Sequence, residues 1–190
     1  HLSIRRQRQM CIRDSFRKVM ERMRQIINKD INNIRLSLSQ SKHVDYYHEA
    51  VEFVAPYTLK VGKETITANM IILGTGSKPA VPPIKGLEKT GYLTSDTILD
   101  LNELPKSIVI VGGGYIAAEY GHFLSSMGAE VTVIGRNPQF IPEEEPEVSE
   151  LAQRELAKHM TIITNHEVQE AKTGSKGKKM LVAVNRETKK

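Results

Sequence analysis

The chain has one cysteine, Cys11, in 190 residues. A single thiol excludes an internal disulfide and any metal site built from several cysteines. No apolar run approaches the roughly 20 residues that a bilayer-crossing helix needs, so the sequence offers no membrane span. The first residues also lack the charged start, apolar middle and small cleavage site of a secretory signal. Aromatic residues make up 5% of the chain. They do not alternate with the arginines of the basic first stretch, which argues against nucleic acid as a partner.

The charge that is present is uneven. Residues 1–42 carry 11 Lys and Arg against 3 Asp and Glu, a net +8, while the whole chain carries +5, so the other 148 residues hold a net −3. Hydrophobic content of 39% and charged content of 26% are ordinary for a globular protein. The length suits one full domain, or one and a half if cut from something larger. Residues 1–15, HLSIRRQRQMCIRDS, show no apolar periodicity, and MCIRDS resembles translated adapter sequence. That stretch is expected to be a foreign or disordered tail, which leaves Cys11 without a role.

From Phe16 the spacing predicts a helix, with Phe16, Val19, Met20, Met23, Ile26, Ile27, Ile31, Ile34 and Leu38 on one face and Ser15 as its N-cap. Such a stripe is expected to pack in a core. After Lys42 the texture becomes short, alternating and β-branched, predicting an antiparallel meander turned at Pro56 and Gly62-Lys63, whose last strand, Met70–Leu73, is expected to be buried. The proline- and glycine-rich stretch SKPAVPPIKGLEKTG reads as an irregular crossover, and TSDTILDLNELP as a short capped helix.

A second unit begins at Ser107. Ile108–Val111 is expected as a buried strand, Gly112–Gly114 as a turn, Tyr115–Met127 as a helix capped by Gly128, and Glu130–Ile134 as the next parallel strand. The acidic PEEEPEVSE opens a further helix through His159, its carboxylates placed near the positive end of the helix dipole. A third strand, TIITN, and a hairpin of EVQEAK and MLVAV follow. The fold class is therefore α/β: a Rossmann-like, partial doubly wound parallel sheet, preceded by a helix and an antiparallel meander.

The stretch IVIVGGGYIAAEYG carries the chemistry. A phosphate-binding turn needs one glycine where the chain reverses after the strand and another where pyrophosphate approaches the backbone, and Gly112 and Gly114 fit these roles. The third position only lets helix and strand approach, and Ala117 meets that demand with one methyl. Pyrophosphate would sit at the N-terminus of the following helix, where unpaired N–H groups and the dipole attract an anion. A ligand-free tight turn stays open as an alternative. At the end of the second strand the sequence reads Gly135-Arg136, with no carboxylate for a ribose and an arginine where a 2′-phosphate would lie. That favours NADP over NAD, against the alternative of a surface arginine and backbone-bound NAD.

Two motifs in order, TANMIILGTGSKPAVPPIKG and LPKSIVIVGGGYIAAEYGHFLSSMGAEVTVIGRN, resemble the class I pyridine nucleotide-disulfide oxidoreductases, most closely the archaeal-type dihydrolipoamide dehydrogenases. The resemblance implies that residues 16–104 are the second part of a split FAD-binding domain and 105–190 a truncated NAD(P)-binding domain. It implies FAD near Thr75 and Gly76, although Gly74 replaces the family's alanine, with Ala50 and Val51 beside the adenine. Tyr115 matches an aromatic residue covering the nicotinamide pocket, and Glu119 a carboxylate beside the carboxamide. It further implies a cytoplasmic homodimer acting on a small-molecule disulfide or dithiol.

The sequence departs from the family in lacking its Cys-x-x-x-x-Cys pair, its first flavin glycine turn and the His-Glu base of its C-terminal domain. No catalytic residue is therefore assigned. His48, His122, His159 and His166 read as structural or surface residues. An internal fragment of a flavin-dependent reductase is expected, inactive alone and poorly soluble through exposed apolar surface. The alternatives are a mercuric, mycothione or glutathione-type reductase, or a non-catalytic NAD(P)-binding redox sensor.

Overall fold

The computed structural model describes residues 15–190. The expected foreign tail and Cys11 thus fall, Ser15 apart, outside the described residues. The chain forms two units, one comprising Arg22–Lys78 and the other the residues up to Glu21 together with Pro79–Lys190.

Helix α1 runs Phe16–Ser39. Ser15 caps it as expected: its hydroxyl accepts from the Lys18 amide at 3.4 Å and its carbonyl from Val19 at 3.2 Å. Phe16 and Met20 are buried, and the Phe16 ring lies 6.0 Å from that of Phe123. The expectation of a fully packed stripe is corrected further along, where Ile26, Ile27, Ile31 and Ile34 are 40–59% exposed. An amphipathic face is buried only where another element covers it.

In the Arg22–Lys78 unit, β1 (Val51–Ala55), β2 (Thr58–Val61) and β3 (Glu64–Thr67) form the expected antiparallel meander in the order β1-β2-β3. Val51 pairs with Val61, and Thr58 with Thr67. Gly62 turns the second hairpin at φ 59°. The buried strand expected at Met70–Leu73 is absent: these residues are irregular, with Met70 76%, Ile72 86% and Leu73 69% exposed. A run apolar on both sides forms a strand only between partners, and none pairs with it among the described residues.

The other unit is built on a parallel sheet, β4 (Ser107–Val111), β5 (Glu130–Ile134) and β6 (Thr161–Ile163), ordered β4-β5-β6. Val111 pairs with Ile134, and Ile134 with Ile163. Helix α2 (Tyr115–Met127) joins β4 to β5, and α3 (Pro146–Leu156) leads to β6. Gly128 ends α2 at φ 107°, a left-handed cap that glycine adopts without strain.

The central strand β5 is the driest part, with Val131 at 2% and Val133 at 0% exposure, and α2 contributes Ala117 and Leu124 at 4% and 1%. Burying a side chain of Leu124's size contributes roughly 1.5–3 kcal/mol. β4 was expected to be buried and is so only in part: Val109 and Val111 are 44% and 41% exposed, whereas Ile108 and Ile110 are less so. Alternate residues face opposite sides of the sheet, and the side carrying Val109 and Val111 is not covered among the described residues.

Beyond β6, β7 (His166–Thr173) and β8 (Lys179–Asn185) form the expected hairpin. The Pro79–Leu104 stretch is more ordered than its composition suggests. Lys85 donates to Gln169 and accepts from Ala171, Ile84 joins Ile134, Val168 and Ala171 in a buried cluster, and Leu87–Thr90 makes one helical turn. Thr97–Asp100 is a 3-10 turn in place of the expected helix. Among the described residues no helix is long and apolar enough to cross a membrane.

Candidate nucleotide site

The glycine turn leaves β4 at its C-terminal end, where ligands of parallel α/β sheets bind. Gly112 sits at φ 125°, a conformation side chains avoid, and its amide donates to Ile134 O at 2.9 Å. A Cβ on Gly112 would meet nothing within 4 Å, so its outer face is open to an incoming group. Gly114 is the extended N-cap of α2 without a side-chain capping bond. The first amides of α2 thus face a space that no side chain caps, which suits an anion.

Gly135 joins this turn. Its amide donates to Ile163 O at 2.8 Å, and its Cα lies 3.3 Å from where a Cβ on Gly113 would sit. Ala117 is buried at 4% under the turn, as its helix-packing role requires. One turn on, a Cβ on Gly121 would come within 2.7 Å of Met160 Sδ. At Gly121 the helix thus packs against Met160, the residue before β6, and against Val133 of β5, 3.7 Å from the same Cβ position.

The acidic, proline-rich segment after β5 is clamped onto the turn. Ile141 N donates to Gly113 O at 2.6 Å, and the Phe140 side chain, wholly buried, lies under Gly113. Ser149 of α3, 1% exposed, donates its hydroxyl to Ile141 O at 2.8 Å and accepts from Gln139 Nε2 at 2.7 Å. The buried Ser149 hydroxyl thus both donates and accepts, which ties the loop to α3 without leaving a buried polar group unpaired. The loop brings the Glu143 carboxylate to 3.7 Å from the Cβ position of Gly114.

Tyr115 and Glu119 lie one turn apart on α2, and both are exposed, Tyr115 at 61%. Neighbouring Tyr120 donates to Ser95 O at 2.9 Å, and burial, followed by the charges of Asp96 and Glu119, pushes its phenol above the usual tyrosine range. Arg136 is exposed directly after Gly135. The structure thus brings Gly112, Gly114, Tyr115, Ala117, Glu119, Gly135 and Arg136 to one end of the sheet. Thr75, Gly76, Ala50 and Val51 belong to the other unit, where all four are exposed, Val51 opens β1 and Gly76 has φ 69°.

The family model of the pyridine nucleotide-disulphide oxidoreductases matches residues 6–190. The chain belongs to this family. Among its curated relatives, the mercuric reductase of Staphylococcus aureus is 31% identical over 157 residues, 78% of this chain and 29% of that protein. A soluble pyridine nucleotide transhydrogenase of Mycobacterium tuberculosis is 33% identical over 168 residues, 84% of this chain and 35% of that protein. The HOCl-induced flavoprotein disulfide reductase RclA of Escherichia coli superposes with a TM-score of 0.79 at 26% identity, over 88% of this chain and 41% of its own.

The chain therefore spans about a third of the length of the curated oxidoreductases it matches. Mercuric reductase, transhydrogenase and disulfide reductase share its family, and the narrower kinship with dihydrolipoamide dehydrogenases is not what these three relatives carry. The expected flavoprotein disulfide oxidoreductase family and α/β fold are both found.

Several residues that shape the site escaped the sequence reading. Gly113 and Gly121 had visible signals, a glycine run and a glycine inside a helical pattern. Glu143 and the loop anchors Ile141 and Ser149 had only an acidic run that reads as a helix start. Arg186, whose Nη1 donates to Arg136 O at 3.2 Å, lies 50 positions away and had no local signal.

Proposed function

We propose that this chain holds the pyridine-nucleotide site of a flavin-dependent oxidoreductase and that it takes NADP(H). The carrying observation is the end of β5 beside the glycine turn: Gly135 meets Gly113, and Arg136 stands next with no carboxylate at that strand end. Gly112 and Gly114 would admit the pyrophosphate to the first amides of α2, and Arg136 would pair with the 2′-phosphate through charge-assisted hydrogen bonds. Tyr115 would cover the nicotinamide, and Glu119 would accept from its carboxamide, holding the reacting ring face.

A flavin supplies the acceptor or donor of the hydride. Open space around Gly76, with its left-handed backbone, fits close approach of such a group to the Thr75-Gly76 segment, with Ala50 and Val51 beside its adenine. On family kinship, the whole protein is a cytoplasmic homodimer that exchanges electrons between nicotinamide and a small disulfide or dithiol, with dihydrolipoamide as the substrate the motifs resemble most. The similarity to mercuric reductases favours a second reading, in which the final electron acceptor is a mercuric ion.

The test is a titration of the chain with NADPH and with NADH, repeated on Arg136→Ala. The proposal expects tighter NADPH binding in the parent and a loss of about tenfold for NADPH alone in the variant. Equal affinities in both proteins would refute NADP(H) selectivity.

A further inference from the structure

The segment after β5 offers one arginine in sequence, and its acidic, proline-rich continuation contributes no second cation before Arg154. The fold supplies one from elsewhere. Arg186 follows β8 directly, and its Nη1 donates to the carbonyl of Arg136 at 3.2 Å. This sets a second guanidinium against the very residue assigned to the 2′-phosphate.

The placement is fixed by backbone bonds rather than by the long side chain alone. Arg186 N donates to Asn165 O at 2.8 Å, Asn165 N to Asn137 O at 2.7 Å, and His166 N to Gly135 O at 2.9 Å. The residues at the end of β5 and those around Arg186 are therefore stitched together through Asn165. The turn carrying Arg186 is closed by Asn185, whose Oδ1 accepts from the amides of Glu187 at 3.0 Å and Thr188 at 2.9 Å. Among the described residues neither Arg136 nor Arg186 makes an ion pair with a carboxylate.

We propose that Arg186 is a specificity-determining residue for the 2′-phosphate, acting beside Arg136. A guanidinium is a planar fork of N–H donors. Its bond to Arg136 O occupies one of them and orients the rest, which matches a phosphate better than a freely rotating ammonium would. Two guanidiniums divide the dianionic charge of a 2′-phosphate monoester, and neither helps a ribose hydroxyl comparably, so the pair discriminates between the two nucleotides. The inference rests on the NADP(H) reading above.

The experiment titrates the full chain, Arg186→Ala, Arg186→Glu and Arg136→Ala with NADPH and NADH, following nicotinamide fluorescence at low and moderate salt. Arg186→Ala should weaken NADPH about tenfold and leave NADH within about twofold. Arg186→Glu should weaken NADPH further, again sparing NADH, and each variant should reduce the salt dependence of NADPH binding.

Retained NADH affinity shows that a variant is folded with its turn intact. If Arg136→Ala removes NADPH preference while both Arg186 variants keep it, the role of Arg186 is overturned and the NADP(H) reading stands. If Arg186→Ala weakens both nucleotides equally, Arg186 only holds the loop and the inference is wrong. If the parent chain does not prefer NADPH at all, the NADP(H) reading fails and this inference with it.

Discussion

Gly113 and Gly135 meet backbone to backbone: a Cβ on Gly113 would lie 3.3 Å from the Cα of Gly135, and one on Gly135 would lie 3.2 Å from the Cα of Gly113. The contact joins the turn after β4 to the end of β5, the two strand ends at which a dinucleotide's phosphates and adenosine would be held. Neither partner is a flexible side chain, so neither can yield without moving a strand end. Gly113→Ala and Gly135→Ala should each cost about 1–3 kcal/mol in urea unfolding and weaken dinucleotide binding together with stability. Unchanged stability in both variants would mean that the strand ends separate easily.

Gly121 makes a contrasting contact. Its missing Cβ faces the thioether end of Met160, a side chain that bends around an added methyl. Alanine also favours a helix interior by roughly 1 kcal/mol over glycine. Gly121→Ala should therefore leave stability within about 1 kcal/mol, whereas Gly121→Val should cost about 2 kcal/mol by overpacking against Met160 and Val133. Paired thermal and urea melts decide this, and a severe loss from alanine would show that Met160 cannot move.

Glu143 places a carboxylate beside Gly114 at the start of α2, where the pyrophosphate is proposed to lie. Like charges there repel, so Glu143→Gln should tighten NADPH binding about two- to fivefold at low salt, with the gain shrinking as salt rises. Calorimetric titration at two ionic strengths measures it. Weaker binding in the variant would assign Glu143 to holding the loop.

Tyr120 ties α2 to the Ser95 segment by donating its phenolic proton. Burial, with the charges of Asp96 and Glu119, raises its pKa in the folded chain. A raised folded pKa means that the linked stability is fully present below the ordinary tyrosine pKa near 10 and is lost as pH climbs through the folded value. Tyr120→Phe should cost about 0.5–1.5 kcal/mol at neutral pH and flatten the fall in melting temperature above about pH 10. An unaltered alkaline slope in the variant would remove Tyr120 as its source.

The sequence made α2 and β5 legible to the residue, because glycines punctuate both ends of the helix and the apolar run of β5 is short and bounded. Burial was less legible. Met70–Leu73 and Val109 have the composition of buried strand residues, but burial depends on a neighbouring surface, which local composition does not encode. Gly112, Gly114 and Ala117 were visible as a motif with a mechanism. The meeting of Gly113 with Gly135 was not, because it arises only when β4 and β5 pair in register. Arg186 was the least visible, since its bond to Arg136 depends on how the β7–β8 hairpin returns to the sheet.

The central claim is that the glycine turn and the end of β5 hold a 2′-phosphorylated dinucleotide. Its most direct test is amide chemical-shift mapping of the isotopically labelled chain during titration with NADP+. The account predicts saturable shifts concentrated at Gly112, Gly114, Tyr115, Gly135, Arg136 and Arg186, with the shifts at Arg136 and Arg186 reduced when NAD+ is used. Saturable binding that leaves these amides unmoved, or identical patterns for the two nucleotides, would contradict it.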